Sequence, residues 1–138
     1  MKGPFACRLY AEEPSGTFAH GHVVASVPDL TAAKQDPGYW HCDLAHRDRL
    51  TWSERVYALF GLPNGAPVTR EWAAGCYAEP SKVVLERVRT YAIDRKLGFI
   101  LDAAIIPEGM GERWIRVLAV PILRNGRVVG LHGLKRAL

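Results

Sequence analysis

Apolar and polar residues change rhythm along this chain, and the change divides it in two. Over residues 1–37 little periodicity is sustained, and Pro4, Pro14, Pro28 and Pro37 interrupt what there is. Two apolar pieces, 5–10 and 18–27, are rich enough to pair as strands. After Pro28, Asp29 is placed to cap a short helix over 29–35, stopped before Pro37. These residues read as an N-terminal extension, packed on a domain covering 38–138.

From Gly38 the pattern sharpens. Residues 39–44 alternate, with Trp40, Cys42 and Leu44 on one side and Tyr39, His41 and Asp43 on the other, which predicts a half-buried strand. A second short strand follows at 50–52. Ser53 stands where a helix N-cap belongs, and Thr51 with Glu54 has capping-box spacing one register earlier. Either start gives a helix with Val56, Leu59 and Phe60 on one face and Gly61 at its end. Thr69 caps a helix over 70–74 that presents Trp72. Pro80 and Ser81 open the longest helix, 82–96, with Val84, Leu85, Val88, Tyr91 and Ala92 as its apolar stripe and Gly98 as its terminator.

Three strands follow, at 99–106, 112–123 and 127–134. A Glu108-Gly109-Met110-Gly111 turn joins the first two, and Asn125-Gly126, the strongest hairpin signal in the chain, joins the last two. Two strands, three helices and three hairpin-linked strands make an α+β domain with its helices gathered on one face of an antiparallel sheet.

Composition adds limits. At 138 residues the chain fits one domain with a real core. Its net charge of +4 raises the question of nucleic acid, but the cations are scattered from Arg47 to Arg136 with acidic residues between them. That describes a solvated surface, not a phosphate-binding face. Cys7, Cys42 and Cys76 are odd in number and widely spaced, which excludes a disulfide framework and suits a reducing compartment. No apolar run nears the roughly 20 residues of a membrane helix, and no signal peptide is visible. The expectation is a soluble, cytoplasmic protein with neither membrane nor nucleic acid as partner.

Four blocks then carry a resemblance. They are the opening Tyr39-Trp40; Trp52-Ser53 with Val56-Tyr57 and Leu59-Phe60-Gly61; Arg113-Trp114-Ile115 after the glycine turn; and Gly126-Arg127-Val128 with Gly130 and Gly133. In this order and spacing, residues 38–134 resemble a PAS domain of the kind common in bacterial sensory proteins. The resemblance implies a five-stranded antiparallel sheet whose inner face and helices enclose a cavity. It also implies either small-ligand binding there or dimerisation through the outer sheet face. Two departures stand out. Glu79-Pro80-Ser81-Lys82-Val83 replaces the His-Pro-Asp-Asp-Arg run of many relatives, and the end, Gly133 to Leu138, lacks their Asp-Ile-Thr signature. With no output domain attached, signalling is expected to pass in trans through a partner protein.

The cofactor is unknown, and two familiar ones are disfavoured. Haem-binding relatives place an axial histidine on the long helix, and 82–96 contains none. Photochemical flavin binding uses an Asn-Cys-Arg-Phe-Leu run, and Gly75-Cys76-Tyr77 lacks those neighbours. His20-Gly21-His22 supplies two ligands without a third, which defines no metal. Cys42 reads as a small core residue.

Asp102 interrupts an apolar strand. It is either the base of a small proton-transfer enzyme or a mark of the solvated face, and the second reading is preferred. With Asp102 and Arg116 outward, strict alternation turns Phe99, Leu101, Ala103 and Ile105 inward, together with Ile115, Val117 and Ala119. The candidate cavity lining is these residues other than Ile105, joined by Trp40, Cys42, Phe60, Trp72, Val88 and Tyr91. The small Ala103 and Ala119 leave room for a ligand or let a helix pack close, so cavity and filled core stay open alike. The same register puts Trp114, Arg116, Leu118 and Val120 on the outer face as a candidate homodimer interface. The chain therefore reads as a non-catalytic sensory module that binds a ligand or partner, with a pure dimerisation module as the other non-enzymatic possibility.

Overall fold

The computed structural model describes residues 38–138 and three short strands before them, at 7–10, 17–18 and 21–24. The early strands are β1 (Cys7–Tyr10), β2 (Thr17–Phe18) and β3 (Gly21–Val24). They fall within or beside the apolar pieces expected to pair. The helix predicted at 29–35, His20 and the side chain of His22 lie outside the described residues.

After the early strands the chain runs through β4 (Gly38–Asp43), a single 3-10 turn (Leu44–His46) and β5 (Arg49–Trp52). Three helices follow, α1 (Glu54–Leu59), α2 (Arg70–Gly75) and α3 (Glu79–Arg95). Three strands close it, β6 (Gly98–Ile105), β7 (Arg113–Arg124) and β8 (Arg127–Ala137). The sheet order is β2-β3-β1-β6-β7-β8-β4-β5. Its last five strands are the expected antiparallel sheet. Beyond them, β1 pairs antiparallel along β6 and parallel to β3. No helix among the described residues is long and apolar enough to cross a membrane.

Local chemistry accounts for most boundaries. Asn125 and Gly126 both have positive φ, 52° and 76°, as a two-residue type I′ hairpin requires. Thr69 caps α2, its hydroxyl oxygen accepting from the Trp72 N–H at 3.1 Å. Ser53 does precede α1, but its hydroxyl turns back to accept from the Tyr39 N–H at 2.9 Å and so ties the helix start to β4.

Three boundaries differ from expectation. α3 starts at Glu79, because Pro80 needs no N–H partner in a first turn. Ser81 is therefore not a cap; it is buried inside the helix and accepts from the Ala104 N–H at 2.9 Å. The helix ends on Lys96 in the left-handed region, with the Leu97 N–H returning to the Ala92 carbonyl, and Gly98 already belongs to β6. Lastly, β8 runs on through Lys135 to Ala137.

The helices pack on one face. Val56 and Phe60 near α1, and Val88 and Ala92 from α3, join Leu101, Ala103, Ile115, Val117 and Ala119 of the sheet in a single core. Alternation shows in the burial of β7, whereas β6 is buried on both faces, Asp102 and Ala104 included.

Candidate functional site

Where β4, β7 and β8 face α2 and α3, the core does not close completely. A cavity of about 70 Å³ remains. Of the candidate lining residues, Trp40, Cys42, Phe99 and Val117 border it. Phe60, Val88, Leu101, Ala103, Ile115 and Ala119 pack the surrounding core instead of lining the space. Trp72 is 40% exposed and meets the Trp52 ring, while Tyr91 lies under the Arg95 guanidinium.

The lining also contains groups that the pattern of the sequence did not single out. Tyr77 follows α2, and its segment is pinned to β6: the Ala78 N–H donates to Ala104 and the Ile106 N–H to Cys76. This directs the Tyr77 ring inward. Arg70 and Arg89 reach the cavity from α2 and α3, but both are engaged. Arg70 pairs with Glu86, and Arg89 pairs with Asp48 at 3.0 Å.

Lys135 is the most unusual member. It alternates with Leu131 and Gly133 on the inner face of β8 and is only 8% exposed. Its ammonium lies 5.2 Å from the ring centroid of Phe60, 5.3 Å from Trp40, 5.6 Å from Trp52 and 5.7 Å from Tyr77. Aromatic faces are partly negative, so four of them compensate some of the hydration that the cation has lost. Burial still dominates and pushes its pKa down to about 8, against the opposing influence of the Cys42 and Cys76 thiols. No described residue offers it a carboxylate or a hydrogen-bond acceptor. Two neighbours share that condition. The Tyr77 hydroxyl and the Trp52 indole N–H are both buried without a partner. Burial raises the Tyr77 phenol well above its ordinary pKa, so it stays protonated. Extending the period-two pattern from Leu131 through Gly133 would have reached Lys135; nothing local marks Tyr77.

The opposite face corrects one expectation. Asp102 does point away from the cavity, but it is buried, not solvated. Arg116 stands directly across in register and grips it with two hydrogen bonds, of 2.7 and 3.0 Å. A carboxylate held on both oxygens and turned from the cavity is badly placed to take a proton from a ligand there. Trp114, Arg116, Leu118 and Val120 share that outer face, and each is half-buried. Among the described residues, no three His, Cys, Asp or Glu side chains gather as a metal site.

No family model and no curated protein matches the chain. Solved structures do. It is similar to the N-terminal domain of a diguanylate cyclase with PAS/PAC sensor from Marinobacter aquaeolei, with TM-score 0.66 and 16% identity, covering 73% of this chain and 94% of that one. It is similar to an RNA-binding light-oxygen-voltage receptor, with TM-score 0.65 and 12% identity over 75% of this chain but 30% of the receptor. The light-state dimer of the fungal blue-light photoreceptor Vivid gives TM-score 0.62 and 14% identity, over 79% and 82% of the two chains. At such identities the likeness is one of fold.

Proposed function

Because the chain has the PAS fold, we propose that it is a non-catalytic sensory module that takes a small ligand between sheet and helices and signals in trans through a partner protein. Residues 1–37 are then an extension and 38–138 the sensor domain. The observation that carries this reading is the cavity of about 70 Å³ against the inner face of the sheet. Pockets that bind small molecules are mostly apolar with a few polar anchors, and this one has apolar walls and Lys135. Its size limits the ligand to a few non-hydrogen atoms, since an apolar cavity of about 150 Å³ accepts benzene. The unpaired Cys42 and Cys76 thiols suit the cytoplasm.

The proposed output surface is the outer face of β7, used as a homodimer interface around Trp114 and Leu118. The likeness to the Vivid structure, described as a dimer, supports it. A pure dimerisation module is the second reading, favoured by the complete packing around Leu101, Ala103, Ile115 and Ala119.

Native mass spectrometry of the protein purified from its source, set against its denatured mass, separates these. Extra mass on the native species supports the ligand reading. A clean dimer without extra mass supports the dimerisation module, and a monomer without extra mass overturns both.

A further inference from the structure

We infer that the ligand of this cavity is a short-chain monocarboxylate seated on the Lys135 ammonium, an inference that rests on reading the cavity as a ligand site. What the cage lacks is an acceptor. In the lining, the Tyr77 hydroxyl is buried without a partner, and the Lys135 ammonium beside its ring makes no ion pair or hydrogen bond among the described residues. An ammonium can only donate, and a buried phenol that remains protonated has its proton to give. Buried donors are almost always satisfied, so a cluster of unmet ones points to a missing partner of opposite character.

Charge narrows the class. Of the three cations in the lining, Arg70 and Arg89 are engaged by Glu86 and Asp48. Lys135 alone keeps an uncompensated charge. A buried cation is tolerable when paired and costly when not, so one negative charge completes the site.

Volume and wall chemistry narrow it further. About 70 Å³ suits formate, acetate or propionate and excludes aromatic acids, citrate and nucleotides. Ala73, Leu85, Val117 and Leu131 give the remaining wall an apolar surface for a short alkyl tail. A bare inorganic anion would fill the charge and waste that wall.

The test is titration of the full-length, 15N-labelled protein with sodium acetate at constant ionic strength, following the Cys42, Tyr77 and Val117 amides, with sodium chloride as control. Expected are saturable shifts with acetate at pH 7, absent in Lys135→Met. Above pH 8 the apparent Kd should rise about tenfold per pH unit as the ammonium loses its proton. Tyr77→Phe, which removes one donor and keeps the ring, should weaken acetate roughly tenfold. It keeps the inference falsifiable should Lys135→Met fail to fold. Shifts that stay linear in acetate, that chloride reproduces, or that survive unchanged in both variants would overturn the inference. Should native mass spectrometry find a neutral molecule in the cavity, the carboxylate falls while the sensory reading stands. A cavity that takes neither acetate nor a copurified molecule removes both.

Discussion

The indole N–H of Trp40, on β4, reaches across β8 to donate to the carbonyl of Leu118 on β7, at 3.2 Å. It can do so because the residue it crosses, directly opposite in register, is Gly133. A Cβ on Gly133 would lie 1.7 Å from that same carbonyl oxygen. Gly133→Ala should therefore force β7 and β8 apart and displace Trp40 from the cavity wall. The expected cost is about 3 kcal/mol, the upper end for overpacking a core. Urea unfolding measures it, and a loss below about 0.5 kcal/mol, the scale of a neutral surface change, would refute the close approach.

Lys135 makes stability depend on pH in an uncommon direction. Its folded pKa, about 8, lies below the ordinary lysine value of 10.5. Between those values the unfolded chain holds a proton that the folded chain has released. Unfolding then binds protons, so stability rises with pH through this window. The full difference is on the order of 3 kcal/mol, of which only part is reached by pH 10. From about pH 9 the Cys42 and Cys76 thiols, and above pH 10 the Tyr77 phenol, act the other way, because burial resists their ionisation and the unfolded groups ionise first. Denaturant melts between pH 7 and pH 9 should show the rise, and Lys135→Met should abolish it while being more stable at pH 7. A wild-type protein whose stability is flat or falling over that range contradicts the buried ammonium.

Asp102 separates a structural role from a chemical one. A base could become Asn and keep the fold. The two-pronged pair with Arg116 predicts instead that Asp102→Asn loses roughly 2 kcal/mol, less than a fully buried pair would because Arg116 is partly exposed. Thermal unfolding decides, and full stability with a lost turnover would restore the enzymatic reading.

The outer face of β7 is tested by Trp114→Asp. A charge placed there should leave the circular dichroism spectrum unchanged and convert the proposed homodimer to monomer. Light scattering after size exclusion reads the mass, and a variant that remains dimeric moves the interface elsewhere.

Much of this architecture is legible in residue patterns, and the failures have common causes. Alternation within Gly38–Asp43 and Gly98–Ile105 turned Trp40, Cys42 and Phe99 inward, because a pleated strand half-covered by helices allows little else. Asn125-Gly126 fixed the last hairpin through backbone chemistry alone. Lys135 falls among the scattered cations taken for a solvated surface, since a lysine beside Arg136 carries no local sign of burial. Its burial depends on aromatic rings that arrive from β4, β5 and the segments after α1 and α2. Asp102 escaped for the same reason: its partner Arg116 lies on the next strand, and only register brings the two together. Long-range compensation of charge is what local pattern cannot express.

The strand β1 has a consequence for the border of the sheet. Its pairing from Cys7 to Tyr10 occupies the backbone of β6 between Gly98 and Leu101, one of the most thoroughly apolar segments of the chain. Shortening the protein to residue 38 would strip that cover. The bared N–H and C=O groups, flanked by Phe99 and Leu101, would become a template on which the sheet of another copy could add. The N-terminal strand thus serves as a selvedge, keeping the molecule from being woven into its neighbours.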